Sequence, residues 1–94
     1  MKKKTIIEIE FHEFEKIVKD AYSKDYDFVA DQEASNDTCL SYNAKKEKFD
    51  AYDKDALNKF IKTGKSYNIA HILFSDLCNK DVLEEGEYIV DISW

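Results

Sequence analysis

The sequence contains no arginine and no proline, and only two glycines and two cysteines among its 94 residues. Arginine is the residue best suited to bidentate contacts with phosphate and guanine. Its absence from a chain with a net charge of −6 argues against direct binding to nucleic acid. The glycines, Gly64 and Gly86, lie too far apart for a phosphate-binding loop, so nucleotide-dependent chemistry is nearly excluded.

The number of cysteines and the length of the apolar runs indicate where in the cell the protein works. Cys39 and Cys78 are too few for a disulfide scaffold, which indicates a reducing environment. No apolar run approaches the roughly 20 residues of a membrane span. The basic start is followed by Glu8 and Glu10 rather than by an apolar signal segment. We therefore expect a protein of the cytoplasm with no membrane contact.

The hydrophobic content is that of a folded protein. Hydrophobic residues make up 44% of the chain and aromatic residues 14%, far more than in a disordered chain. Ninety-four residues leave room for a single domain, residues 1–94, with a thin core.

Local patterns predict an α+β fold in the order β-α-β-β-α-α-β. Alternation of apolar and polar residues predicts four strands, over 5–11, 26–33, 38–44 and 87–94. Helical spacing predicts three helices, over 11–23, 53–64 and 67–79, with Asp53 as the N-cap of the second. We expect a four-stranded, mainly antiparallel sheet with the helices on one face, a hairpin formed by the second and third strands, and the two terminal strands near each other.

The sequence offers little for nucleophilic catalysis. His71 and Cys78 are seven residues apart on one predicted helix, about 10 Å and too far for proton transfer. Cys39 lies on a predicted strand and could meet the other histidine, His12, only through tertiary packing. Free cysteines are among the most buried residues, so we expect both to be small core residues.

Metal-site spacing is also missing. There is no Cys-x-x-Cys and no His-x-x-x-His motif. A calcium loop fails for lack of the required glycine in the stretch that carries three aspartates, Asp50, Asp53 and Asp55. We therefore expect no metal, no cofactor and no enzymatic activity.

Charge is distributed unevenly along the chain. Residues 24–37 carry a net charge of −4 and residues 76–91 carry −5, whereas residues 45–65 carry +3. We expect the two acidic segments to form one face that meets a basic partner, with embedded tyrosines of the kind that interfaces favour. The predicted partner-binding residues are Asp25, Tyr26, Asp27, Asp31, Glu33, Asp37, Glu84, Glu85, Glu87 and Tyr88.

Lysine, asparagine, isoleucine, tyrosine and phenylalanine are abundant, which indicates an AT-rich coding sequence. In this composition, in size, in net negative charge and in the lack of catalytic motifs, the chain resembles the small acidic proteins that phages and mobile elements make against host defence, including anti-CRISPR proteins. The resemblance implies a stoichiometric inhibitor, with DNA mimicry as one mode of action, that binds the basic nucleic-acid-binding groove of a defence nuclease. If a phage encodes the chain, we expect it to act in the host cytosol. One alternative is an immunity or antitoxin-type protein that neutralises a toxin. Another is a structural protein that forms a homodimer through its final strand or its tyrosines. Whether residues 45–65 face away from the partner or touch it stays open.

Overall fold

A computed structural model of the chain describes residues 6–34 and 38–92. These residues form an α+β domain with four helices and three strands. The elements in chain order are β1 (Ile6–Glu10), α1 (Phe11–Tyr22), α2 (Phe28–Gln32), β2 (Thr38–Ala44), α3 (Ala51–Thr63), α4 (Ala70–Asn79) and β3 (Gly86–Ile92).

The final strand lies in the centre of the sheet. The strand order is β1-β3-β2, with β1 parallel and β2 antiparallel to β3. Tyr88 of β3 faces Ile7 of β1 on one side and Tyr42 of β2 on the other. The prediction that the terminal strands lie near each other is confirmed. The predicted four-stranded, mainly antiparallel sheet is wrong, since the described residues form a mixed sheet of three strands.

The core lies between the inner face of the sheet and the helices. Phe74 of α4 stacks on Tyr42 with ring centroids 4.9 Å apart and contacts Tyr88 at 5.3 Å. Phe14 of α1 stacks on the other side of Phe74 at 4.2 Å. Phe28 of α2 closes the cluster edge-on against Phe14 at 5.8 Å. Aromatic rings from three helices and two strands therefore form the centre of the fold.

The predicted strand at 26–33 is wrong, because this segment forms the short helix α2. Asp27 has extended backbone, and its carboxylate accepts a hydrogen bond of 3.0 Å from the backbone N–H of Ala30. The carboxylate of Glu15, on α1, accepts one of 2.9 Å from the N–H of Phe28. These contacts satisfy donors that a first helical turn leaves unpaired. The predicted hairpin with β2 therefore does not form.

The ends of α3 and α4 follow the prediction only in part. Gly64 ends α3 with a φ of 77°, as predicted, and its N–H donates to the carbonyl of Phe60. The N-cap of α3 is Asp50 rather than Asp53, because the Asp50 carboxylate accepts from the N–H of Asp53 at 2.8 Å. Helix α4 begins three residues later than predicted. The side chain of its N-cap residue, Ile69, makes no capping hydrogen bond.

No helix within the described part of the chain is long and apolar enough to cross a membrane.

Candidate protein-binding surface

The first predicted acidic segment is partly exposed, but Asp25 and Asp27 already make local contacts. Asp25 Oδ1 lies 3.1 Å from Lys19 Nζ, so a cation already balances this carboxylate. Asp27 is exposed and caps α2. Glu33 is exposed and ends α2 with a left-handed backbone, at a φ of 50°. Asp37 lies outside the described residues.

Asp31, from the same segment, is buried rather than available to a partner, with 4% of its surface exposed. Its Oδ2 accepts hydrogen bonds from the Tyr26 hydroxyl at 2.6 Å, from Gln32 Nε2 at 2.7 Å and from the backbone N–H of Ile69 at 3.0 Å. Gln32 in turn accepts from the Tyr42 hydroxyl at 2.7 Å. Asp31 therefore ties α2 to the start of α4 and, through Gln32, to β2.

The two predicted interface tyrosines are also buried, with 6% of Tyr26 and 3% of Tyr88 exposed. The Tyr26 hydroxyl is bound to Asp31, and the Tyr88 hydroxyl donates to the backbone carbonyl of Glu84 at 2.8 Å. Burial, followed by the neighbouring carboxylates Asp31 and Glu84, raises the pKa of each hydroxyl, so both stay protonated. Tyr26 and Tyr88 are core residues here, which corrects the expectation that they contact a partner.

Burial interrupts the predicted acidic face. Asp31 is buried and binds the backbone N–H of Ile69, the residue before α4. Glu84 and Glu85 are exposed on the loop that follows α4. The prediction that residues 24–37 and 76–91 form one surface is therefore wrong at Asp31, which is not on the surface.

A different acidic surface forms on the side of the sheet that the helices leave uncovered. Strand register places nine side chains on this side, which we call the outer sheet face. They are Ile6, Glu8 and Glu10 of β1, Glu87, Ile89 and Asp91 of β3, and Cys39, Ser41 and Asn43 of β2. Seven of them are exposed, and Glu87 and Ile89 are half-buried. Of the sequence-predicted residues, only Glu87 belongs to it.

Carboxylates dominate the outer sheet face, which carries four of them and no lysine. Glu10 lies directly beside Asp91 across neighbouring strands. Within residues 6–34 and 38–92, no lysine forms an ion pair with Glu8, Glu10 or Asp91. Glu13, in the first turn of α1, and the carboxylates Glu8, Glu10 and Asp91 line a shallow, open depression of about 400 Å³. Ile89 also lines it.

The alternation of acidic and apolar residues in β1 and β3 indicates this surface in part. Glu8 and Glu10 alternate with Ile7 and Ile9, while Glu87 and Asp91 alternate with buried residues of the final strand. Each alternation predicts which side chains face solvent. Only the parallel pairing of β1 with β3 places all four carboxylates on one face, with Glu10 directly beside Asp91.

Cys39 lies on the same face and belongs to its electrostatics. It is exposed, contrary to the expectation of a core cysteine, whereas Cys78 is buried as expected. Its thiol donates to Asp91 Oδ1 at 3.7 Å. Desolvation, followed by the negative charges of Asp91 and Glu8, raises the pKa of this thiol. Because the thiolate is the nucleophilic form, Cys39 is a poor nucleophile at neutral pH.

We expect Asp91→Asn to speed the alkylation of Cys39 at pH 8 several-fold, because it removes the main negative charge beside the thiol. The rate profile should move to lower pH, since a raised pKa delays thiolate formation to higher pH. Iodoacetamide kinetics in a Cys78→Ala background would measure this. Asp25→Asn, which removes a carboxylate outside the face, should change nothing. An unchanged rate in Asp91→Asn would contradict the electrostatic assignment.

The described residues hold no group of three or more histidine, cysteine, aspartate or glutamate side chains placed to bind a metal ion. Comparisons of the chain with protein-family models, with curated proteins and with solved structures found no match. A function is therefore inferred from the charge and shape of the outer sheet face.

Proposed function

We propose that this protein works by binding, through its outer sheet face, to a basic surface of another protein. In this proposal the partner is a nuclease or another nucleic-acid enzyme, and the chain blocks its nucleic-acid-binding groove without performing chemistry. The observation that carries the proposal is the set of carboxylates on the uncovered side of the sheet. Among these, Glu8, Glu10 and Asp91 form no ion pair with a lysine of the described residues.

Like-charge repulsion supports this proposal. Glu10 and Asp91 are neighbours on adjacent strands, about 5 Å apart between backbones, and like charges facing each other destabilise a sheet. Glu8 and Cys39, whose thiol already binds Asp91, lie close by. A lysine- or arginine-rich partner relieves this repulsion, and complementary charge speeds association.

The apolar residues of the same face provide contact area. Ile89 lies in the centre, between Glu8 on β1 and Ser41 on β2, and is half-buried. Ile6, at the edge of the face, is 57% exposed. An apolar centre with a charged rim is the usual arrangement of a protein–protein interface. Because Ile89 is a sheet residue, its position is fixed before a partner binds.

We expect the double variant Glu8→Lys/Asp91→Lys to bind a basic partner at least about tenfold more weakly in low salt, because it places repulsive charges in the middle of the contact. A lysine-rich peptide such as hexalysine is a suitable probe, with binding followed by NMR shifts of the backbone amides. The shifts of the unmodified chain should be largest at Glu8, Glu10 and Asp91 and should fade as salt screens the interaction.

The control makes the same change in net charge elsewhere. Asp20→Lys/Asp55→Lys reverses two exposed carboxylates on α1 and α3. This variant should bind hexalysine almost as well as the unmodified chain. If both double variants lose the same affinity, net charge alone governs binding and the assignment to the outer sheet face is wrong.

Inhibition of an RNA-guided defence nuclease tests the proposed partner class. Cleavage of target DNA should fall linearly as the chain is added and stop at about one chain per nuclease. Complete inhibition by far less than one equivalent would indicate catalysis instead and would contradict the proposal. So would inhibition that Glu8→Lys/Asp91→Lys leaves unchanged.

A further inference from the structure

The free edge of β2 lacks the features that normally prevent edge-to-edge pairing of sheets. Its seven residues pair one-to-one with β3, without a bulge. In the described residues no strand pairs with its other side. The strand, Thr-Cys-Leu-Ser-Tyr-Asn-Ala, contains no charged residue and no proline. Natural proteins protect edges with short strands, charges, prolines or bulges, and β2 has none of these.

The other edge of the sheet is different. Strand β1 has five residues, and two of them, Glu8 and Glu10, are charged and exposed. Pairing of β1 with a second copy would bring these carboxylates together. The contrast between the two edges selects β2 as the one able to accept another strand.

We propose that β2 pairs antiparallel with β2 of a second copy, joining the two sheets into one of six strands. With the two-fold axis at Ser41, Cys39 faces Asn43 of the other copy and Leu40 faces Tyr42. This register uses all seven residues and keeps core-facing side chains opposite core-facing ones. Leu40 and Tyr42 are only half-buried in the single chain, and the second copy covers them.

Charge explains why a second copy is accepted despite a net charge of −6 on each chain. The acidic residues of the outer sheet face lie on β1 and β3, not on β2. Across the joined edges, the two β3 strands are three strand spacings apart, or about 14 Å. This exceeds the Debye length of about 8 Å at physiological ionic strength, so the repulsion is largely screened.

The proposed pairing makes an interface of modest size. Two seven-residue strands bury less than the roughly 1,200 Å² at the lower end of stable interfaces. We therefore expect a dimer that forms at micromolar concentration or above. A two-fold axis normal to the sheet leaves the outer sheet faces side by side. The final strand, proposed above as an alternative interface, is paired on both sides and offers no free edge.

Sedimentation velocity between about 5 and 500 μM should show the 11.0 kDa chain converting to a species of twice that mass. Ser41→Glu should weaken this dimer at least about tenfold, because it places two carboxylates at the two-fold axis. Ile6→Glu adds the same charge to the outer sheet face at the opposite edge and should leave the dimer unchanged. A chain that stays monomeric at 500 μM, or a dimer that Ser41→Glu does not weaken, overturns the proposal.

A disulfide provides a second readout in case Ser41→Glu affects folding. In a Cys39→Ser/Cys78→Ala background, Ser41→Cys should form a disulfide between copies on mild oxidation, because the axis places the two side chains opposite each other. Ile6→Cys in that background should stay monomeric. Equal cross-linking of both variants overturns the proposed register. The result is independent of the basic partner, since sedimentation and cross-linking are measured on the chain alone, without hexalysine.

Discussion

We expect Phe14→Ala to lower the free energy of unfolding by about 4 kcal/mol, because it removes the ring that links three helices. Phe14 is fully buried, stacks on Phe74 at 4.2 Å and meets the rings of Tyr26 and Phe28 edge-on at 5.8 Å. For a domain of this size the melting temperature should fall by roughly 20 °C. Thermal unfolding followed by circular dichroism measures the change.

Tyr52→Ala is the matched control, since it also removes an aromatic ring from a helix. Tyr52 is 80% exposed. Its loss should change stability by no more than about 0.5 kcal/mol. Equal losses in Phe14→Ala and Tyr52→Ala would mean that the aromatic cluster does not form the core.

The second large effect concerns the buried carboxylate. We expect Asp31→Ala to lower the free energy of unfolding by about 3 kcal/mol. The substitution leaves the Tyr26 hydroxyl, Gln32 Nε2 and the N–H of Ile69 without their acceptor. Asp31→Asn should cost less, since it keeps one oxygen and the side-chain shape. Urea unfolding of both variants gives the comparison.

Two aspartates from the same segment provide graded controls for this experiment. Asp27→Ala removes only the cap of α2 and should cost about 1 kcal/mol. Asp25→Ala breaks an exposed ion pair with Lys19 and should cost almost nothing. The assignment of Asp31 to the core fails if Asp31→Ala behaves like Asp25→Ala.

The three aspartates also mark the limit of what charge alone reveals. Asp25, Asp27 and Asp31 look alike in the sequence, as members of one acidic segment. One pairs with a lysine, one caps a helix and one is buried. The contacts of Asp25 and Asp27 are local, with Lys19 on the preceding helix and with the start of α2 itself. The role of Asp31 depends on α4, which contacts this segment from a distant part of the chain. The prediction that all three lie on one partner-binding surface is wrong for Asp31 for this reason.

The segment 26–33 shows how a local pattern misleads. Tyr26 and Phe28 alternate with polar residues as in a strand, yet both are buried in the aromatic core, where Phe14 contacts each of them and Tyr42 of β2 contacts Phe28. The five-residue helix α2 is too short to be stable alone. The Glu15 carboxylate from α1 and the packing of Phe28 stabilise it, and neither contact is visible in the segment itself.

The sequence by itself determined the three strands that formed, helix α1 and the end of α3 at Gly64. Alternation, helical spacing and the backbone freedom of glycine act over a few residues, so they can be recognised in the chain. Only the tertiary structure decided that α2 is a helix, that Asp31 and two tyrosines are buried, and that the carboxylates of β1 and β3 share one face. Each depends on which distant elements become neighbours, because burial and charge clustering arise from packing rather than from local sequence.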